Sequence, residues 1–462
     1  MRRSPRLALA GFACFLLLGA CTGGVDQDAI ADDPVPDNSE SDNSPSEDAE
    51  SDGAGSTTEP PDPPEANSDG GADTDGSDTE PVELSTLADL AGQILLRDGD
   101  GQIAIAQPDA SATVVLSEPG ADHTQPTWSG SGDLVAWSSF SAGGSTLSVS
   151  DRDGSAVSER SVRSPAFYLS WSPNDSWIGG LRPGPEGMEM FIADGANTED
   201  RSISSAAPFY FEWAGNDDIV AALANQLLVD IAADNTVDPL RRPLELPLGI
   251  FQAPAVLPNG QVVAALRENG LNTLVRLSGA QAETIATANG PFFIAASPDG
   301  TKVAVLTAPS VGGAQQEPEI TEIAFQFDEP VELGDGSVTI IDLETGDVTE
   351  QAEEQVVAIS WSPDSSTLAL LRFDDNQLRW SFATDSETIE GAAFAPSPRF
   401  TQRYLPFFDQ YNLSSTAWSP DSEAIVFAGE VAGDSGVFVD LVFDDAGPAR
   451  VSEGDIAFWS PN

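Results

Sequence analysis

From Gln93 onward the chain is a succession of short apolar runs separated by turn residues. Gln93 to Arg97, Gln102 to Gln107 and Thr113 to Leu116 are typical: rich in Ile, Leu and Val, too short for helices, and bounded by Asp, Gly, Pro and Ser. This pattern predicts strands. It is also periodic. A phrase of the form Trp-Ser-Pro-Asp-Gly recurs, beginning at Trp128, Trp171, Trp213, Val256, Ala296, Trp361, Trp418 and Trp459, with spacings of 43, 42, 43, 40, 65, 57 and 41. A period near 42 matches one four-stranded propeller blade.

Each unit reads strand by strand. A short apolar strand such as Ala358 to Trp361 leads into the phrase, and Ser362-Pro363-Asp364-Ser365 then forms a tight turn. Proline presets its φ there, and Gly or Asn tolerates positive φ. A second strand follows, as in Thr367 to Leu371 or Ala424 to Ala428, and a third tends to end in an Asp-Gly turn, as in Leu147 to Gly154. Six of the nine tryptophans occupy the repeat position, where packing between blades explains them better than a sugar-binding surface.

The two ends of the pattern complete each other. Trp459-Ser460-Pro461-Asn462 supplies a first strand with nothing after it, and Gln93 to Leu116 supplies three strands with no first strand before them. One blade built from both removes the exposed sheet edges. The expected fold is therefore all-β, a single β-propeller of eight four-stranded blades, or seven if one degenerate unit fails, closed by a shared blade.

Residues 1–90 have no such pattern. Arg2, Arg3 and Arg6 precede an apolar run of 14 residues, Leu7 to Ala20, shorter than the roughly 20 needed to span a bilayer but suited to a signal peptide. From Thr22 to about Leu90 the chain is Asp, Glu, Ser, Pro, Gly and Thr, with no Lys or Arg between Arg6 and Arg97. Such a segment buries too little apolar surface to offset its ordering entropy, and a disordered tether with a reach of roughly 45 Å is expected. Val82 to Leu90 is a weak candidate for a short helix or strand. The domains expected are thus a signal peptide over 1–20, a tether over 21–90 and a propeller over 91–462.

Charge narrows the functions. With 75 acidic and 19 basic residues the net charge is -56, which disfavours nucleic acid. The acidity suits either a saline habitat or cationic partners. The only cysteines are Cys14 and Cys21, so the folded region has no disulfide, thiol nucleophile or cysteine-bound metal.

Two resemblances add to this. Leu18-Gly19-Ala20-Cys21 resembles the bacterial lipobox, which implies cleavage before Cys21, its lipidation, and a membrane anchor on the extracytoplasmic side. Thr22 stands where the inner-membrane retention aspartate would be, so the location this resemblance implies is the outer face of the cytoplasmic membrane, or the outer membrane or periplasm in a two-membrane cell. The Trp-Ser-Pro-Asp-Gly phrases resemble the repeats of TolB-type propellers, shared with prolyl-oligopeptidase-like enzymes and oligogalacturonate lyases, over roughly residues 92–462. The latter use histidine-rich metal sites; this chain has one histidine, His123. TolB itself has a further α/β domain and six blades, so its envelope role is only weakly implied.

Two insertions stretch the repeat, about Pro309 to Gly336 and about Ala395 to Leu413, and strand alternation predicts that both rise from one face. The second carries Arg399, Phe400, Arg403, Tyr404, Phe407, Phe408, Asp409 and Tyr411, the composition of a binding hot spot or of a satellite core over the ring. His123 is expected on the same face, as an exposed loop residue or as part of a site. Asp98-Gly99-Asp100-Gly101, Asp151-Arg152-Asp153-Gly154 and Asp73-Thr74-Asp75-Gly76 are read as turns or chain rather than calcium loops. Gly433-Asp434-Ser435-Gly436 matches short protease phrases but sits between two strands, as a turn. No catalytic residue, metal or cofactor is expected. The expected protein is a monomeric, lipid-anchored binding module recognising an envelope protein, peptide or glycan. The alternatives are a propeller lyase or hydrolase acting on polysaccharide or peptide, and a sensor accessory to a transporter.

Overall fold

The computed structural model describes residues 81–462 except 186, 197–199, 207–208, 224–226, 234–239, 244–251, 269–270, 280, 309–329, 352–354, 375 and 445. Residues 1–80, which hold the expected signal peptide, Cys21 and most of the expected tether, and most of the first insertion lie outside the described residues.

The closing strand stands where the two ends of the pattern placed it. Ile456–Trp459 pairs antiparallel with Ile94–Arg97, in the register Ile94 to Trp459 and Arg97 to Ile456. Ile103–Ala106 and Thr113–Val115 complete that sheet. The Ser460 amide donates to the Gln93 carbonyl at 2.8 Å, extending the ladder by one bond. The other sheets follow the chain, each meandering outward from a strand that ends at a repeat phrase, as in Tyr168–Trp171, Trp177–Gly184, Gly187–Asp194 and Asp200–Ala206. Inner strands such as Ile456–Trp459 and Tyr168–Trp171 are buried throughout, whereas outermost strands such as Val157–Val162 are largely exposed. Burial on both faces is what blades packed against two neighbours require. The fold is a β-propeller.

Hydrogen bonds divide the described strands into seven sheets, one of which has seven strands. That sheet joins two repeat units, because Thr388–Pro396 runs on until Ala395 and Pro396 pair with Glu430 and Gly429. The Trp418 phrase keeps only two isolated bridges, Thr416 to Trp459 and Trp418 to Ile425. Gly429 permits the merger: a Cβ there would stand 2.3 Å from the Ala395 carbonyl oxygen. A fifth strand, Val331–Glu332, lies parallel to Gln281–Ala288; it is the described end of the first insertion.

The repeat phrase performs two tasks. Its tryptophan is buried, and the indole Nε1 of Trp213, Trp361 and Trp418 donates to the carbonyl of Ser170, Ala295 and Ser360. Each acceptor is the residue just before the repeat position of the preceding unit, so each indole links two blades. The turn is held by its own side chains: Ser362 Oγ donates to Asp364 Oδ1 at 2.6 Å and accepts the Thr367 amide at 2.9 Å. Ser297 and Ser419 repeat this arrangement. Ser365 and Ser422 take left-handed φ values of 63° and 65°, a conformation that favours glycine. Their hydroxyls accept the amides of Asp299 and Asp364 in the preceding turns, which glycine could not do.

Residues 84–89 form a 3-10 helix that buries Leu87. Asp98 accepts the Asp100 and Gln102 amides, and Asp153 the Ser155 amide, so these acidic loops are self-bonded turns. Asp434 to Gly436 lie inside Asp434–Leu441, after a tight turn at Ala432 and Gly433, both at positive φ.

Candidate functional site

The second insertion does not rise from the face. It is helical, as Phe400–Tyr404, Leu405–Phe407 and Phe408–Tyr411, and it enters the ring along its axis. Its hydrogen bonds reach the inner strands of unit after unit. Gln410 accepts the Phe211 amide at 2.8 Å and donates to the Phe211 carbonyl at 2.7 Å. Asp409 accepts the Ala253 amide at 3.1 Å, Asn412 accepts the Ser360 hydroxyl at 2.8 Å, and the Ser414 carbonyl accepts the Thr127 hydroxyl at 3.1 Å. The Tyr411 hydroxyl donates to the Phe167 carbonyl. Tyr404 and Tyr411 are buried in a cluster with Tyr168, Phe211 and Phe458 from three inner strands. Their ring centroids lie 4.6 Å apart, and Tyr404 stands 5.4 Å from Phe458. The second insertion departs from the expectation because an aromatic-rich segment gains more by covering apolar inner strands than by standing in water, while most of the first lies outside the described residues.

The sequence-predicted residues divide accordingly. Phe400 packs between two core clusters, and Phe408 lies 6.3 Å from the Trp380 ring. Arg399 shares Asp455 and Asp122 with Arg97, at 3.0 and 3.4 Å from Arg399. That cluster fastens the entry of the insertion. His123 is not an exposed loop residue: it is buried in Asp122–Trp128. Its Nε2 donates to the Glu118 carbonyl at 2.7 Å, and its Nδ1 is hydrogen-bonded to the Ser139 hydroxyl at 2.8 Å. Phe407, Asp409, Tyr411 and Arg403 line two recesses that the plug leaves on either side of itself.

The first recess opens among the repeat turns and has a volume of about 430 Å³. Its walls are Trp213, Leu257, Pro258, Ile294, Pro298 and Leu413, and it holds two carboxyl groups, Glu212 and Asp409. Burial pushes Glu212 up to about 8, against the opposing pull of the Val256 amide, whose hydrogen bond it accepts. Burial likewise pushes Asp409 up to about 6, against the Ala253 amide. Both carboxyls thus hang on one short segment, 253–256. The second recess, of about 220 Å³, lies at the other end of Phe209–Trp213, the strand that carries Glu212. Phe167, Leu181, Met188, Phe209 and Phe407 wall it, with Gln125 and Arg403 as polar members.

Sequence reasoning missed Glu212, Gln125 and Gln410. Glu212 did leave a signal. The residue before each repeat position is Thr127, Ser170, Glu212, Ala255, Ala295, Ser360, Ala417 or Phe458, and only one of these is charged. Gln125 and Gln410 left none. Among the described residues no three His, Cys, Asp or Glu side chains converge as a metal site.

No protein-family model matches the chain, and no curated protein matches it. Solved structures do. A eukaryotic initiation factor is 14% identical with a TM-score of 0.52, over 80% of this chain and 99% of that one. Dihydro-heme d1 dehydrogenase NirN, in complex with DHE, is 13% identical with a TM-score of 0.52, over 80% of this chain and 75% of that one. TolB from Acinetobacter baumannii is 14% identical with a TM-score of 0.35, over 66% of this chain and 65% of that one. The chain therefore spans just under two thirds of that TolB structure. At such identities the likeness concerns the fold alone.

Proposed function

We propose that this chain is a lipid-anchored binding module of the cell envelope, carried on an acidic tether from Cys21, and that it recognises an envelope protein, peptide or glycan. The observation that carries the reading is the plugged ring axis: the insertion closes the channel and leaves shaped recesses on a rigid scaffold, the usual setting of a binding site. The turn-side recess holds Glu212 and Asp409, whose charged forms burial disfavours, with no basic neighbour among its lining residues, so a cationic group such as a lysine side chain of the partner, which supplies the missing counter-charge, is the fitting guest. A field from a net charge of -56 draws such a guest toward the ring. The one imidazole in the chain has both nitrogens engaged within the fold, which favours binding over acid–base turnover.

The test is a photo-crosslinking residue at Pro298, exposed on the rim of this recess, in intact cells. An envelope partner is captured, and Glu212→Gln combined with Asp409→Asn reduces the capture while the ring stays folded. Undiminished capture removes the recess from the interface. Cys21→Ala releases the protein from the membrane fraction; continued sedimentation with membranes argues against the lipid anchor.

A second reading, hydrolysis or lysis of a glycan or peptide, draws on the same two carboxyls, since a raised carboxyl can serve as a general acid. Turnover of an oligosaccharide or peptide panel that disappears in Glu212→Gln would establish it instead.

A further inference from the structure

We infer that the recess at the other end of Phe209–Trp213, between Gln125, Tyr168, Phe209, Phe407 and Arg403, binds a small amphipathic carboxylate, with its apolar body in the recess and its acid group on Arg403 and the Gln125 amide. The inference concerns the other side of the plug and does not rest on the reading of the turn-side recess.

Three observations point to this ligand class. The first is the wall. Phe167, Leu181, Met188, Phe209 and Phe407 offer only carbon and sulfur, in a volume of about 220 Å³, below the range of about 300–1,000 Å³ that holds drug-sized ligands. A single ring or a short branched chain fits; a long acyl chain does not.

The second is the set of unspent polar groups. Gln410 and Tyr411 also line the recess, but their polar ends are committed to Phe211 and to the Phe167 carbonyl. What remains is donor-rich. Gln125 is 3% exposed, and its amide faces the Tyr411 hydroxyl while its Nε2 makes no hydrogen bond of good geometry. It sits at φ 56°, at an irregularity between Thr124 and Thr127, so the fold holds this side chain in a costly backbone conformation. The hydroxyl of Tyr168, 2% exposed, faces Ser414, Gln410 and Ser170 without a hydrogen bond of good geometry to any of them. A buried donor without an acceptor is unfavourable until a ligand brings one.

The third is Arg403. In a chain with 75 acidic residues, Arg97, Arg182, Arg276, Arg372 and Arg399 are each ion-paired, while exposed Arg403 has no ion-pair partner among the described residues. A guanidinium is a donor only, shaped to hold a carboxylate through two parallel hydrogen bonds. Donors above an apolar wall exclude amines, which bring no acceptor, and sugars, whose hydroxyls would meet carbon. They select an anion with an apolar body.

Two sources share this chemistry: a free small acid, and the terminal carboxylate of a peptide ending in a hydrophobic residue. Calorimetry on the full chain with 3-phenylpropionate, 3-phenylpropionamide, and a peptide ending in Leu-Phe as free acid or as amide separates them. The expected result is binding of the acids, with the corresponding amides weaker by about tenfold or more, the effect of losing one charged hydrogen-bond partner. Arg403→Gln, at an exposed position, weakens acid binding by a similar factor and leaves the weak amide binding unchanged. Met188→Trp fills the recess and abolishes both. Tighter binding of the peptide acid than of 3-phenylpropionate assigns the site to chain ends, and the reverse order to free acids. Equal affinity for acid and amide, acid binding indifferent to Arg403→Gln in a folded protein, or no binding of either acid at millimolar concentration overturns the inference.

Discussion

The two recesses share a wall, yet their chemistry is opposite. The turn-side recess holds two carboxyls whose charged forms are disfavoured by burial; the insertion-side recess holds donors and a guanidinium with nothing negative to meet. One turn of helix, Phe408–Tyr411, faces both: Asp409 lines the first, Tyr411 the second, and Gln410 is bolted to the strand between them. A propeller with an open channel offers one continuous axis. A plug of a few residues turns that axis into two sites that can be specified separately.

The severest way to break this comparison is to remove the partition. Tyr411→Ala deletes a buried ring and its hydrogen bond to the Phe167 carbonyl, and is expected to cost about 3–5 kcal/mol in denaturant unfolding. The triple change of Tyr404, Phe407 and Phe408 to Ala is then a test of the core, and loss of ligand capture by that variant says little about a surface. Gln410→Leu leaves the packing nearly intact but strands the Phe211 amide and carbonyl, for about 2–4 kcal/mol by the same measurement.

The electrostatic difference shows in pH dependence. Glu212 and Asp409 hold protons more tightly folded than unfolded, so their contribution to stability is complete below their ordinary values of 4.5 and 3.8. It is lost as pH rises through about 6 for Asp409 and about 8 for Glu212. Unfolding free energy should therefore fall between pH 5 and 8, and Glu212→Gln should remove most of that slope, whereas Arg403→Gln should leave it unchanged. The smallest effect belongs to the frame that both recesses share. Ser365→Ala loses the hydroxyl that accepts the Asp299 amide and is expected to cost about 1 kcal/mol, seen as a slight fall in Tm with ligand binding intact.

How much of this was legible follows from the range of each signal. Closure was legible because both halves of one blade are written in the sequence, and Ile94 duly pairs with Trp459. The turns were legible because Pro, Asp and Ser act on their immediate neighbours, as Ser362 does on Thr367. The joining of two units at Ala395 and Gly429 was not, since it depends on how far a strand continues past its repeat length. The insertion was the hardest case. Its aromatics have the same composition whether they greet a partner or fill a channel, and what decides is the apolar ring interior formed by Tyr168, Phe211 and Phe458, far away in sequence. His123 failed for a related reason: its partners, Glu118 and Ser139, become neighbours only once the strand pair forms.

The bonds that seat the plug join residues 199 positions apart at Phe211 and Gln410, 244 at Phe167 and Tyr411, and 287 at Thr127 and Ser414. Contacts so distant raise the contact order, as does the still longer pairing of Ile94 with Trp459, and a chain of this topology is expected to refold slowly. Without the plug, the rings of Tyr168, Phe211 and Phe458 would face water inside the ring. A variant whose plug is loosened, such as Tyr411→Ala, should therefore bind a hydrophobic dye that the intact protein ignores.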